Sequence, residues 1–313
     1  MDLRQLAALT AVADHHSFTA AADALRTVQS NVSTHVARLE KELGGPLVDR
    51  ASGSLTEAGE LVVARYRRVE RELEAITADV AAVHGEVSGT VRLGVIGTVA
   101  RWLVPGLLER LGVDLPKVHV VLVDASTTSL VPQLAAGRLD LAVVNLPVDD
   151  PDVRTDVLFV EDHVLVVPRD HELAAKATTT LAELAKHPLL MEPAGTGFRD
   201  DLDADAVHAG QTLTPAAEVD GMLLVADLAF GGLAPAILPT SAVPGGDGTR
   251  ADGGTEEHPA WRSVQIQGLR PRRVGLAIST RTQLSAPAAA VQGLVVELMA
   301  DLAPSGSGVR PAP

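Results

Sequence analysis

The 313-residue chain predicts a multidomain α/β protein: a small helical head, one long helix and a larger region of two α/β lobes. Three observations predict it. Up to residue 43 the apolar positions recur at helical spacing; from Val62 to Val83 they follow an unbroken 4-3 alternation; and beyond residue 90 short β-branched runs alternate with helical ones. The length accommodates two or three compact units.

Composition narrows the class. Apolar residues make up 46% of the chain, yet only four Phe, two Trp and one Tyr occur, so Leu, Val and Ala must build the cores. The first residues, MDLRQLAALTAVADHHSF, lack a basic start followed by a long apolar run and a small-residue cleavage site, and no stretch of about 18 apolar residues follows. Secretion and a membrane partner are not expected. The absence of cysteine rules out a disulfide, a thiolate zinc site and a cysteine nucleophile, and suits the cytoplasm. The net charge of −14 repels a polyanion at long range. The first 58 residues share the bias: Arg4, Arg26, Arg38, Lys41 and Arg50 face Asp2, Asp14, Asp23, Glu40, Glu42, Asp49 and Glu57. A nucleic-acid role must therefore rest on placed groups rather than on overall charge.

Those groups are present. Leu3, Leu6, Leu9 and Val12 mark a first helix that stops at Asp14-His15-His16. Ser17 caps a second, Ala-rich helix from about Phe18 to Leu25. A third begins near Gln29. There Val28, Val32, Val36, Leu39 and Leu43 form a core face, while Ser30, Thr34, Ala37, Arg38 and Lys41 lie opposite with Ser33 on the flank. A short-chained, polar and basic helix entered by a tight turn suits the DNA major groove, where Gln29 can pair with adenine. A plain surface helix would show the same periodicity. The order of residues decides for the first reading.

Ser17-Phe18-Thr19, Ala21-Ala22, Leu25, the run VQSNVSTHVARLEKELGGPLVDR from Val28 to Arg50, and Leu55-Thr56-Glu57-Ala58-Gly59 resemble the LysR-type family of transcription regulators. The family pattern Q-P-x-L-S-x-x-I-x-x-L-E-x-x-L-G-x-x-L-F-x-R is met by Gln29, Ser33, Leu39, Glu40, Leu43, Gly44, Leu47 and Arg50; Ser30 stands where proline is common and Val48 where phenylalanine is. The resemblance implies a winged helix-turn-helix over 1–58 that binds double-stranded promoter DNA, with Gln29, Ser30, Ser33, Thr34, Arg38 and Arg50 as its contacts. Leu47 to Arg50 and Ser54 to Thr56 flank Ala51-Ser52-Gly53 as a hairpin wing, and the resemblance takes Arg50 and the wing to the minor groove or its phosphates.

Thr56 opens the long helix with acidic residues in its first turn. Val62, Tyr66, Val69, Leu73, Ile76, Val80 and Val83 then form a coiled-coil seam under a charged cover, so residues 59–86 read as a dimerisation linker. Roughly 28 helical residues make a rod of about 40 Å, enough to hold two heads about one turn of DNA apart. A homodimer, or a homotetramer as the resemblance implies, follows, with RNA polymerase a further candidate partner.

Gly85, Ser88 and Gly89 break this helix. Strands are expected at Val91–Ile96, Val118–Val123, Leu141–Val144 and Val157–Val160, with helices near Thr98–Leu111 and Ser129–Ala136. A second set has strands at His163–Val167, Leu189–Met191, Ala216–Val219 and Ala234–Leu238, with helices near Leu181–Lys186, Arg199–Ala209 and Met222–Phe230. Val274–Ile278 and a helix over Ala286–Leu302 return to the first set. Parallel strands with right-handed crossovers, in two lobes joined by two crossing strands, are the expectation. This resembles the periplasmic-binding-protein-like effector domain of the same family, here over 87–303, with lobe I at 87–161 and 270–303 and lobe II at 162–269.

Ligands of such folds lie beyond strand C-termini between the lobes. That rule nominates Gly97, Thr98, Ser126, Thr128, Asn145, Thr196 and Phe198, and Trp102 one turn into the first helix, against the plainer alternatives of helix caps and a core aromatic. Helix starts and hydroxyls favour a small carboxylate as effector. Residues 245–258 read as a flexible acidic loop and 304–313 as a disordered tail. No G-x-S-x-G, P-loop, H-E-x-x-H or complete G-x-G-x-x-G occurs, so neither catalysis nor a cofactor is expected, and the histidines form no metal set. An α/β solute-binding or enzymatic domain without a DNA role is the alternative; it leaves the head unexplained.

Overall fold

The computed structural model describes residues 1–49, 53–244, 260–302 and 309–311. The chain divides into two compact units, Met1–Thr77 and Ala78–Pro313.

The first unit is a winged helix-turn-helix. Helix α1 (Leu3–His15) starts with a capping box: Asp2 accepts from the Gln5 amide while Gln5 reaches back to the Asp2 amide. Ser17 caps α2 (Phe18–Ala24), and α3 (Gln29–Leu43) closes at Gly44, whose φ of +81° suits glycine. Leu9, Val12, Ala21, Ala22, Val32, Val36 and Leu39 form one core with Leu47 and Val48. The wing closes through the Val48–Leu55 bridge and the Asp49 amide, which donates to Ser54 O at 2.8 Å. Arg50, the wing contact expected from sequence, lies outside the described residues. Helix α4 (Glu57–Val83) begins beneath this wing. Thr56 caps it by accepting from the Gly59 amide at 3.1 Å. Gly59 is a steric necessity, since a Cβ there would stand 2.0 Å from Leu47 O.

The second unit holds two sheets. The first contains β1 (Gly89–Val95), β2 (Val118–Asp124), β3 (Leu141–Leu146), β4 (Val153–Glu161), β11 (Arg272–Ser279) and β12 (Val309–Pro311), in the order β12-β4-β11-β3-β1-β2. Helices α5 (Gly97–Asp114), α6 (Thr127–Ala135) and α10 (Ala286–Leu302) belong to this lobe, and Leu103, Leu107, Phe159, Val291 and Val295 fill its core. Asp79, near the end of α4, accepts from the Ala286 amide at 2.7 Å. The second sheet runs β6-β10-β5-β9-β7-β8, from β5 (His163–Pro168), β6 (Thr178–Thr180), β7 (Pro188–Met191), β8 (Thr214–Glu218), β9 (Ala236–Pro239) and β10 (Trp261–Gln267). Its helices are α7 (Leu181–Leu184), α8 (Gly197–His208) and α9 (Met222–Phe230).

The strand pairing corrects three expectations. The sheets are mixed rather than parallel: β11 pairs antiparallel with both β3 and β4, and β5 pairs antiparallel with β9 and β10. The chain crosses between the lobes at β4→β5 and β10→β11, and antiparallel pairs join these crossing strands to each other in both sheets, whereas β10 runs parallel to β6. Strands β6 and β10 add to the second lobe beyond those expected. The 304–313 stretch is not structureless throughout, because Val309–Pro311 pairs with β4 and buries Val309 in the first core. Arg310 also donates twice to the hinge residue Asp162, at 2.7 and 2.9 Å. The expected loop at 245–258 lies outside the described residues.

Candidate functional site

On α3 Val32, Val36 and Leu39 turn inward, whereas Val28 and Leu43, expected on the same core face, are exposed because they stand at the two ends of the helix, beyond the packed turns. Gln29, Ser30, Thr34 and Arg38 are exposed and Ser33 is half-buried. Ser33, Thr34, Ala37, Arg38 and Lys41 edge one shallow, open groove. Val28 precedes α3 without a side-chain cap, so the first N–H groups of the helix stay available to an acceptor such as a phosphate oxygen. The acidic residues of the head are partly spent internally. Asp2 caps α1, Asp14 pairs with Arg67, and Glu40 accepts from the wing amides of Leu47 at 2.9 Å and Val48 at 3.3 Å. Among the described residues, no carboxylate pairs with Arg38 or Lys41. The net-acidic head thus offers a locally basic exposed face on α3.

The seam of α4 divides in two. Tyr66 is buried and Val62 rests against the head core, because the first turns of α4 pack on their own unit. Burial, together with the Glu70 carboxylate beside it, pushes the Tyr66 phenol up to about 12. Val69, Leu73, Ile76, Val80 and Val83 are solvent-exposed, from 41% for Val69 to 84% for Val83. Five large apolar side chains at 4-3 spacing on one exposed stripe are a surface that a partner helix would cover.

Between the two sheets of the second unit lies a cavity of about 420 Å³. The first lobe supplies Ile96, Gly97, Thr98, Asp124, Ala125, Ser126, Thr127, Ser129 and Asn145; the second supplies Glu192, Thr196, Gly197, Phe198 and Asp220 to Leu223; Arg272 comes from a crossing strand. Six of the eight residues nominated from sequence meet here: Gly97, Thr98, Ser126, Asn145, Thr196 and Phe198. Two do not. Trp102 faces the lobe core edge-to-face with Phe159, at 5.4 Å between ring centroids, because α5 turns that side to the sheet. Thr128 hydrogen-bonds to Ser126 Oγ at 2.9 Å instead of lining the space. Nor do the threonines cap their helices. Thr98 is buried and accepts from Arg272, and the hydroxyl of Thr196 donates to Pro193 O. The starts of α5, α6 and α8 therefore have no side-chain cap.

Two family models match this arrangement. Residues 3–60 match the bacterial regulatory helix-turn-helix protein, lysR family, and residues 84–300 match the LysR substrate binding domain. The chain belongs to the LysR family. It is 35% identical over 246 residues to a probable hydrogen peroxide-inducible genes activator of Streptomyces viridosporus, covering 77% of this chain and 78% of that one. It is 32% identical over 247 residues to the DNA-binding transcriptional dual regulator OxyR of Escherichia coli K12, covering 78% and 81%. Full-length CbnR, solved in complex with its target DNA, shares the fold with a TM-score of 0.69 at 24% identity, over 97% of this chain and all of that one. This LysR-family chain is thus a DNA-binding transcription regulator with an effector-binding domain.

Sequence reading missed the charged part of this regulator's cavity. Arg272 is buried and paired with the fully buried Glu161 at 2.7 Å; it also donates to Thr98 Oγ1 at 2.9 Å. Glu161 further accepts from the Ser241 amide at 2.8 Å, so one ion pair ties both crossing strands to a helix of each lobe's side of the hinge. Three carboxylates line the cavity besides: Asp124, Glu192 and Asp220. Glu192 accepts from the Gly221 and Met222 amides at the start of α9, and burial and Asp220 raise its pKa above the ordinary carboxylate value. Asp124 overhangs the start of α5, where a Cβ on Gly97 would lie 3.1 Å from its Oδ1. Helix starts expected to attract an anion thus already face carboxylates of the chain. The signal was present as lone acids at or just after strand ends, which sequence alone cannot tell from solvated loop residues.

Proposed function

We propose that this LysR-family regulator binds promoter DNA as a homodimer or homotetramer through Gln29, Ser30, Ser33, Thr34, Arg38 and Arg50, and that a small molecule in the interlobe cavity sets its DNA occupancy. The carrying observation is the cavity itself. Residues from both lobes converge on it across two crossing strands that a ligand can bias between open and closed. Effector contacts are assigned to Gly97, Thr98, Ser126, Asn145, Thr196 and Phe198, and the partner surface to Val69 through Val83. The functional division follows as 1–58 for reading, 59–86 for pairing and 87–303 for sensing. The protein acts without catalysis, in the cytoplasm where promoter DNA lies; among the described residues no helix is long and apolar enough to cross a membrane.

Several relatives bear names that refer to hydrogen peroxide. This chain holds no cysteine, so it has no thiol for peroxide to oxidise to a sulfenic acid or disulfide. The signal here is therefore read by binding rather than by thiol oxidation. Selection of genomic fragments on the purified chain, followed by gel retardation, tests the regulator. A defined site, expected upstream of a gene, should shift at nanomolar protein, and a selection without any enriched sequence would overturn the reading.

A further inference from the structure

We infer that the effector carries a protonated amine or a guanidinium, received by Asp124 from one lobe and Asp220 from the other; this rests on the cavity being the effector site, as assigned above. The charge of the lining carries the argument. Among the described residues its one cation, Arg272, is already neutralised by Glu161 and spends a further N–H on Thr98. Against it stand three more carboxylates. Glu192 is engaged by the backbone at the start of α9. Asp124 and Asp220 are exposed, and neither meets a cation of the chain among the described residues. A purely anionic ligand would enter a space whose unneutralised charge has its own sign.

Three independent features agree with a cationic ligand. The volume of about 420 Å³ falls in the range of small-molecule sites. Asn145, which lines the cavity, has a covered Oδ1 with no donor among the described residues, and a turn of its amide would present it to a ligand N–H. Ile96, Phe198, Met222 and Leu223 offer an apolar wall for a carbon skeleton, with the Phe198 ring suited to an adjacent cation. Asp124 already overhangs the start of α5, but the uncapped start of α6 remains for an acceptor group on the same molecule, so an amino-acid-like zwitterion fits as well as a simple amine. The placement also supplies a switch. Carboxylates on opposite lobes repel as the lobes approach, and a cation between them turns that repulsion into attraction, which favours closure.

The test uses the full chain, thermal shift and calorimetry, with agmatine, L-arginine and benzylamine as cationic probes and succinate and benzoate as anionic ones. Wild type is compared with Asp124→Asn, Asp220→Asn and the double variant, all expected to fold because both side chains are exposed. At saturation a cationic probe should raise Tm by about 3–5 °C, and each single variant should weaken it roughly tenfold. Cation binding that persists in the double variant overturns the inference. So does binding of succinate or benzoate alone; if a Ser126→Trp plug then abolishes it, the cavity remains the effector site and only the ligand class falls. Silence from every probe discards the cationic class and the cavity assignment together.

Discussion

The reading face of α3 and the interlobe cavity are built from the same parts and tuned to opposite charges. Both are edged by helix starts without a side-chain cap, and both carry short hydroxyl side chains. At α3 the neighbouring acids are diverted into a cap, an ion pair and the wing, so Arg38 and Lys41 set the local sign. In the cavity the cation is diverted instead, into Glu161, and the carboxylates set the sign. The difference teaches that a net charge of −14 forecasts neither partner. What matters is which charges the fold consumes internally and which it leaves facing outward.

The comparison can be broken most severely at the α4 stripe. Leu73→Asp should yield monomers by light scattering and lower operator affinity roughly 10²- to 10⁴-fold through lost avidity, while ligand binding in the cavity persists; a stable dimer would refute the stripe. The next effect belongs to the sensor alone. His163 at the hinge is held neutral, its pKa lowered to about 4 by burial and by Arg272, against weaker opposing pulls from Asp205 and Asp162. The unfolded chain binds this proton below about pH 6.5 and the folded one does not until about pH 4, so stability falls with pH across that window, by on the order of 3 kcal/mol. Urea unfolding of the His163→Leu variant should lack this acid slope, and an unchanged slope would show that the group is not neutral in the fold.

A third change touches only the head. Gly59→Ala drives a Cβ into Leu47 O, and about 1–3 kcal/mol of head stability should be lost, visible as a lowered Tm with the cavity's ligand response intact. The smallest effect sharpens the charge argument itself. Arg38→Ala should weaken all DNA sequences about equally and reduce the salt slope of binding by about one, whereas a change in sequence preference would move Arg38 from phosphate to base contact.

Legibility in the sequence followed the range of the interactions involved. Helices α1 to α3 and the start of α4 were readable because local spacing and caps such as Ser17 and Thr56 specify them within a few residues. Six cavity residues were readable because strand ends and helix starts are local too. The Arg272–Glu161 pair was not, since its partners stand 111 residues apart and meet only through strand register. The carboxylates Asp124 at the end of β2, Glu192 just after β7 and Asp220 after β8 stand far apart in the chain and acquire a common meaning only once both lobes are folded. The seam was half readable: a 4-3 pattern does not say which of its turns, here those of Val62 and Tyr66, the chain will claim for itself.

Strand β12 has a practical consequence. It ties the C-terminal segment to β4 at Glu161 and to Asp162 through Arg310, so this segment is anchored at the pivot between the lobes. Deleting residues 303–313 would strip the edge of β4 and invite sticking between chains. A fluorophore attached at Pro311 would sit beside β4 near the pivot, where it moves least; paired with a second dye on α8, it would report lobe closure as a change in energy transfer.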